Sequence, residues 1–285
     1  FDISTLPGFS VSNVAWLEMG GILAVANIRG GGEYGEEWHK AGMLLDKQNV
    51  FDDFIGAAEW LIANKYTSPK KLAIQGGSNG GLLVGAVMVQ RPDLFGAVVC
   101  QVPLLDMRRF HRLLAGASWM AEYGNPDLEA DWAFISRYSP YHNIPPASGD
   151  GARKLPAMLL ITSTRDDRVH PGHARKMAAR LTERGQSVLY WENIEGGHSG
   201  AADNGQRARM QALPGVGERG AARAALQQGH TAVLFELPQR LGQGRLAQVH
   251  GAGRGADAAV FDHAHQGLQL MELHGVRCYD NFKLS

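Results

Sequence analysis

The chain has 285 residues, 45% of them hydrophobic and 20% charged, proportions that suit a globular protein of one large or two small domains. Its net charge is +0, which argues against a nucleic-acid or membrane-surface partner, and no apolar run is long enough to span a bilayer. The two cysteines, Cys100 and Cys278, stand far apart and are weak grounds for a disulfide. Cys100 ends an apolar run and is expected as a buried free thiol. Phe1 stands first, with no charged-then-apolar leader behind it, so the start reads as a cut.

Taken in order, residues 21–28 (GILAVANI) form a short apolar run closed by Arg29 and three glycines, as a buried strand does. Residues 49–64 place Phe51, Phe54, Ile55, Ala58, Leu61 and Ile62 on one helical face. Asn49 suits the N-cap of that helix, and Asp52 and Asp53 suit the positive end of its dipole. A strand over 72–75 runs into Gly76-Gly77-Ser78-Asn79-Gly80-Gly81. A helix over 82–90 follows and is stopped by Pro92. Strands are expected over 97–102, 157–162 and 187–192, with a helix over 172–184. Strands separated by helices of this length imply parallel βαβ units in one sheet. After Leu213 the chain becomes rich in Gly, Ala, Gln and Arg, and residues 231–237 are its best strand candidate. The expected organisation is a domain over 1–213 and a low-complexity, poorly ordered tail over 214–285.

Gly76-Gly77-Ser78-Asn79-Gly80 matches G-x-S-x-G between a predicted strand and a predicted helix. A serine on so sharp a turn needs small neighbours, and the helix that follows aims its positive end at any oxyanion formed there. In folds built around such a turn the acid and then the histidine follow later strands. Residues 163–168 (STRDDR) and 195–200 (EGGHSG) fall in those places. His198 is the candidate base, and Asp166 or Asp167 the candidate acid, which spacing alone does not separate. His170 and His173 are read as structural or surface residues opening the next helix, and His263 and His265 as incidental.

Several stretches together resemble the C-terminal peptidase domain of the prolyl oligopeptidase family: ANIRGGGEYGEEWHKAG (26–42), NVFDDF (49–54), TSPKKLAIQGGSNGGLLV (67–84), QRPDLFGAVV (90–99), YSPYHNI (138–144), DDRV (166–169) and GGHSG around His198. The resemblance covers residues 1–213. It implies an α/β-hydrolase fold, a mostly parallel sheet with helices on both faces, truncated at the N-terminus. It implies a serine peptidase hydrolysing short peptides on the carboxyl side of proline, with no metal or other cofactor and no nucleic-acid or membrane partner. Another serine peptidase or esterase of the same fold, or an inactive fragment, is the alternative. Of the two aspartates the resemblance selects Asp166, completing a Ser78, Asp166, His198 triad. It assigns Tyr34 and the Asn79 N–H to the oxyanion, Arg168 to a substrate carbonyl, and Trp119 to the proline ring with Tyr123 on the same wall. A cytoplasmic location is expected, with the periplasm as the alternative. The family's β-propeller is not found in this sequence, and neither is a central strand that should precede Phe1, so an open apolar slot is expected in the sheet. The departure after Leu213 is explicable by a shifted or mis-joined reading frame.

Overall fold

Three strands buried on both faces organise the molecule. The structure is a computed structural model describing residues 1–199, except Pro7 and Phe9, and residues 232–236. Strands β2 (Leu72–Gly77), β3 (Ala97–Gln101) and β4 (Ala157–Ser163) send alternate residues to opposite faces. Leu72, Ile74, Val98, Cys100, Met158 and Leu160 join one apolar cluster; Ala73, Val99 and Ile161 join another. Both faces being covered, these strands read as continuous apolar runs in the sequence.

The larger cluster is closed by three helices, α3 (Gln48–Ala63), α4 (Asn79–Gln90) and α7 (Gly172–Glu183). Helix α3 buries Phe51, Phe54, Ala58 and Leu61 at helical spacing, as expected. It begins one residue before Asn49, which is therefore not its N-cap; the Asn49 amide donates instead to the Ala41 carbonyl at 2.8 Å. Asp53 is likewise drawn off the helix dipole: its carboxylate accepts from the Arg29 N–H at 3.0 Å and from the Arg29 guanidinium. The smaller cluster is covered by α1 (Val11–Glu18) through Trp16. Three further α-helices lie among the described residues: α2 (Glu36–Lys40), α5 (Met120–Tyr123) and α6 (Glu129–Tyr138). Among the described residues no helix is long and apolar enough to cross a membrane.

With β1 (Gly21–Ala24), β5 (Val188–Asn193) and β6 (Ala232–Glu236) the sheet has six strands in the order β1-β6-β2-β3-β4-β5. Strands β2 to β5 pair in parallel, as the βαβ reading requires. The expected open slot is not there. Strand β6 stands between β1 and β2 and runs antiparallel to both, with Leu234 opposite Leu23 on one side and Ala73 on the other. It coincides with the strand candidate at 231–237. The rest of the segment 214–285, with Cys278, His263 and His265, lies outside the described residues.

Candidate active site

The turn from β2 into α4 holds Ser78 at φ 58° and ψ −116°, a conformation that costs a non-glycine residue energy and is kept only where its surroundings enforce it. The enforcement is visible. The Ser78 N–H donates to Gln101 O at 2.9 Å, and Ser78 O accepts from the N–H groups of Leu82 at 3.2 Å and Leu104 at 3.4 Å. Glycines make the bend possible. A Cβ on Gly76 would lie 2.1 Å from Gly80 O, and one on Gly81 would lie 2.5 Å from Pro103 Cβ. Ser78 is thus partly exposed at the carboxyl end of its strand and immediately before the N-terminus of a twelve-residue helix.

Asp166 follows β4 and is 4% exposed. Its Oδ1 accepts from the backbone N–H groups of Arg168 and Val169, each at 2.9 Å. Its two carboxylate oxygens lie 3.0 and 2.9 Å from His198 Nδ1. A carboxylate accepts, so the imidazole proton sits on Nδ1 and Nε2 is left as the basic nitrogen. Asp167 is exposed and takes no part in this pair. The loops carrying Asp166 and His198 are laced together: Thr164 N–H donates to Asn193 O at 2.8 Å and Arg165 N–H to Gly196 O at 3.2 Å. The structure therefore joins acid to base. Among the described residues it does not join base to nucleophile, since Ser78 Oγ makes no hydrogen bond with His198.

The remaining candidates divide. Tyr34 is 51% exposed, with its ring edge-on to Trp38 at 4.9 Å. Asn79 begins α4, and its side-chain oxygen accepts from the Tyr123 hydroxyl at 2.6 Å. Trp119 ends a helical turn over Leu114–Trp119 and is half-buried against the main core. That turn is tied to exposed Arg168, whose carbonyl accepts from the Ala115 N–H at 3.4 Å. Tyr123 departs from expectation. It is 1% exposed, enclosed by Phe110 and Phe1, with Lys47 Nζ 5.1 Å from its ring centre. With its hydroxyl on Asn79, it stands beneath the elbow and offers almost no ring surface to a substrate. Burial pushes its phenol pKa up.

Three polar residues beside the site escaped the sequence reading. Lys47 and Glu122 form a buried ion pair at 2.7 Å, and His39 Nε2 lies 2.8 Å from the other Glu122 oxygen. Burial pulls the lysine pKa down. The partners lie in α5 and the turn before α3, and no local spacing announces them. His173, read as a structural or surface residue, is 1% exposed and accepts two backbone N–H groups from the loop after β3.

Residues 7–213 match the model of the prolyl oligopeptidase family. The chain is 53% identical over 214 residues to an uncharacterized peptidase, y4nA, of Sinorhizobium fredii, covering 75% of this chain and 29% of that one. It is 49% identical over 182 residues to a prolyl endopeptidase of Dictyostelium discoideum, covering 64% of this chain and 23% of that one. A solved structure from a study of two prolyl endopeptidases superposes with a TM-score of 0.66 at 50% identity, over 70% of this chain and 29% of that one. The chain thus spans less than a third of the length of these relatives.

Proposed function

The chain belongs to the prolyl oligopeptidase family, and on that footing we propose that it carries the machinery of a serine peptidase hydrolysing short peptides on the carboxyl side of proline. One observation carries the reading: a strained serine before a helix N-terminus, beside strands whose loops bring a buried carboxylate onto the Nδ1 of a histidine.

The chemistry follows from that arrangement. Ser78 Oγ adds to the carbonyl carbon of the scissile bond as His198 Nε2 takes its proton. Asp166 holds the Nδ1 tautomer and stabilises the imidazolium. The oxyanion draws on the Asn79 N–H at the positive end of α4 and on the Tyr34 hydroxyl. Collapse expels the amine, which leaves with the proton from His198, and an acyl-enzyme remains. Water, deprotonated by His198, then attacks the ester and returns Ser78. Catalytic hydrogen bonds commonly tighten only once substrate is bound, which accommodates the lack of a hydrogen bond between Ser78 and His198 here. In this reading Arg168 holds a substrate carbonyl, and the half-buried Trp119 indole lies against a proline ring, whose rigid apolar face suits an aromatic wall.

The test uses the full chain and a fluorogenic peptide with proline before the reporter amide. Cleavage abolished by Ser78→Ala, with a preference for proline over arginine at the cleaved bond, is expected. Equal or faster cleavage of the arginyl peptide refutes proline specificity. Failure of a fluorophosphonate to label Ser78 in folded protein refutes the serine-hydrolase reading altogether.

A further inference from the structure

The elbow is clamped by the segment that follows β3. Ser78 bonds to Gln101 and Leu104, and Gly81 packs against Pro103, so residues 101–104 form a mould for the turn. The next two residues, Leu105 and Asp106, are wholly buried. Their backbone N–H groups find no carbonyl partner and converge on one atom, His173 Nδ1, at 3.2 and 3.0 Å. An unpaired N–H in such a place is costly, so this imidazole decides where the loop lies.

His173 stands in the first turn of α7, the helix that leads directly out of the acid loop. Asp166 accepts from Val169, and the His173 N–H donates to His170 O at 3.1 Å. The His173 side chain therefore links the nucleophile's mould to the segment that carries the acid and, through it, His198, beside the backbone bond from Val102 N–H to Ile161 O at 2.8 Å. The neighbouring Asp106 carboxylate also reaches α7 through Lys176, but that lysine is partly exposed, whereas the imidazole is sealed. To accept two N–H groups, Nδ1 must be unprotonated, and burial, with Lys176 and His170 nearby, lowers the His173 pKa to about 4.

We propose that His173 is a positioning residue, which through Nδ1 fixes the loop over 102–106 against the acid-bearing segment and so sets how closely Ser78 and His198 can approach. The inference rests on the peptidase reading above. A chain of packed hydrogen bonds at this spot has little freedom to adjust, and a small misplacement at the reacting atoms is enough to slow the chemistry strongly.

The experiment compares wild type, His173→Leu, His173→Asn and His173→Gln as full-length protein. It measures fluorophosphonate labelling of Ser78 and the kcat and KM for the proline peptide. Asparagine places an acceptor oxygen where Nδ1 stands, leucine supplies none, and glutamine carries its acceptor one bond too far. The expected result is a labelling rate and kcat reduced by about tenfold to a hundredfold in the leucine variant, largely restored by asparagine. KM should stay within about twofold throughout, because substrate contacts are untouched. A folded leucine variant that labels at the wild-type rate overturns the inference, as does an asparagine variant no better than leucine. Where leucine prevents folding, asparagine against glutamine decides: asparagine fast and glutamine slow supports it, equal rates overturn it. Absence of labelling in the wild type sinks the peptidase reading and this inference with it; labelling in the wild type that His173 does not influence sinks this inference alone.

Discussion

Deleting residues 232–236 removes an interior strand of the sheet, between β1 and β2. Strand β6 pairs with residues 21–24 of β1 and residues 72–75 of β2. In an antiparallel ladder every second residue turns both its N–H and its C=O to a given neighbour, so about eight backbone groups of β1 and β2 face β6. Left unpaired at about 1 kcal/mol or more apiece, they cost on the order of 8 kcal/mol. A whole domain is held folded by roughly 5–15 kcal/mol. The deletion should therefore abolish cooperative unfolding or lower Tm by more than about 15 °C. Because β2 leads straight into Ser78, fluorophosphonate labelling should fall with it. Leu234→Pro is the gentler perturbation, removing one donor from the middle of the strand, and an intermediate loss is expected. Thermal unfolding followed by circular dichroism, with labelling measured on the same samples, provides the assay. A Tm within about 3 °C of wild type after deletion, with labelling intact, would show that β6 is not the strand that completes this sheet.

Gly76→Ala forces a Cβ to within 2.1 Å of Gly80 O, a backbone clash that should cost about 3 kcal/mol or more; soluble protein labelling at the wild-type rate would contradict the elbow geometry. Lys47→Met leaves the Glu122 carboxylate buried without its cation. A loss of about 3–5 kcal/mol is expected in chemical denaturation, largely recovered when Glu122→Gln is added; a loss below about 1 kcal/mol would mean the pair is not buried as described. Stability should also fall with acid in two stages. His173 has its pKa lowered from 6.5 to about 4, so the unfolded chain binds the extra proton; stability is full above pH 6.5 and declines towards pH 4, with a limiting slope of about 1.4 kcal/mol per pH unit. Glu192 has its pKa lowered from 4.5 to about 2, chiefly by the Arg175 hydrogen bond; its contribution is present above pH 4.5 and disappears as pH falls towards 2. His173→Asn should reduce the slope of the first stage, to which His142, its pKa also lowered by burial, contributes as well, and leave the second, as unfolding midpoints measured across pH would reveal. An unchanged slope between pH 6.5 and 4 would contradict the buried neutral imidazole.

Strands β2, β3 and β4 were legible because they are enclosed on both faces, and enclosure writes itself into a short apolar run whatever the rest of the chain does. The elbow was legible because a tight strand-to-helix turn tolerates few side chains, so glycines flank Ser78 for a steric reason that acts over five residues. Chain order then located Asp166 and His198. What stayed hidden depends on pairs distant in sequence. Residues 231–237 could be read as a strand, but not as the neighbour of β1 and β2, since an antiparallel partner may come from anywhere. Lys47 and Glu122 are 75 positions apart. His173 looked ordinary because its partners are backbone amides, which leave no mark in a sequence. Tyr123 was assigned a wall through resemblance, and only packing around Phe110 and Lys47 revealed that its ring is enclosed. Asn49 illustrates the limit of local rules: the helix starts at Gln48, so a good capping residue lies inside it, with its amide donating to Ala41 O.

The thiol of Cys100 donates to Gly81 O at 3.4 Å and is wholly buried beneath the first turn of α4, where burial raises its pKa. Protonated and sealed, it is closed to alkylating reagents for as long as the elbow helix stays seated on β3. In a Cys278→Ser background its rate of modification becomes a clock for the breathing of that helix. The protein thus carries a native reporter of how often its nucleophile turn comes apart.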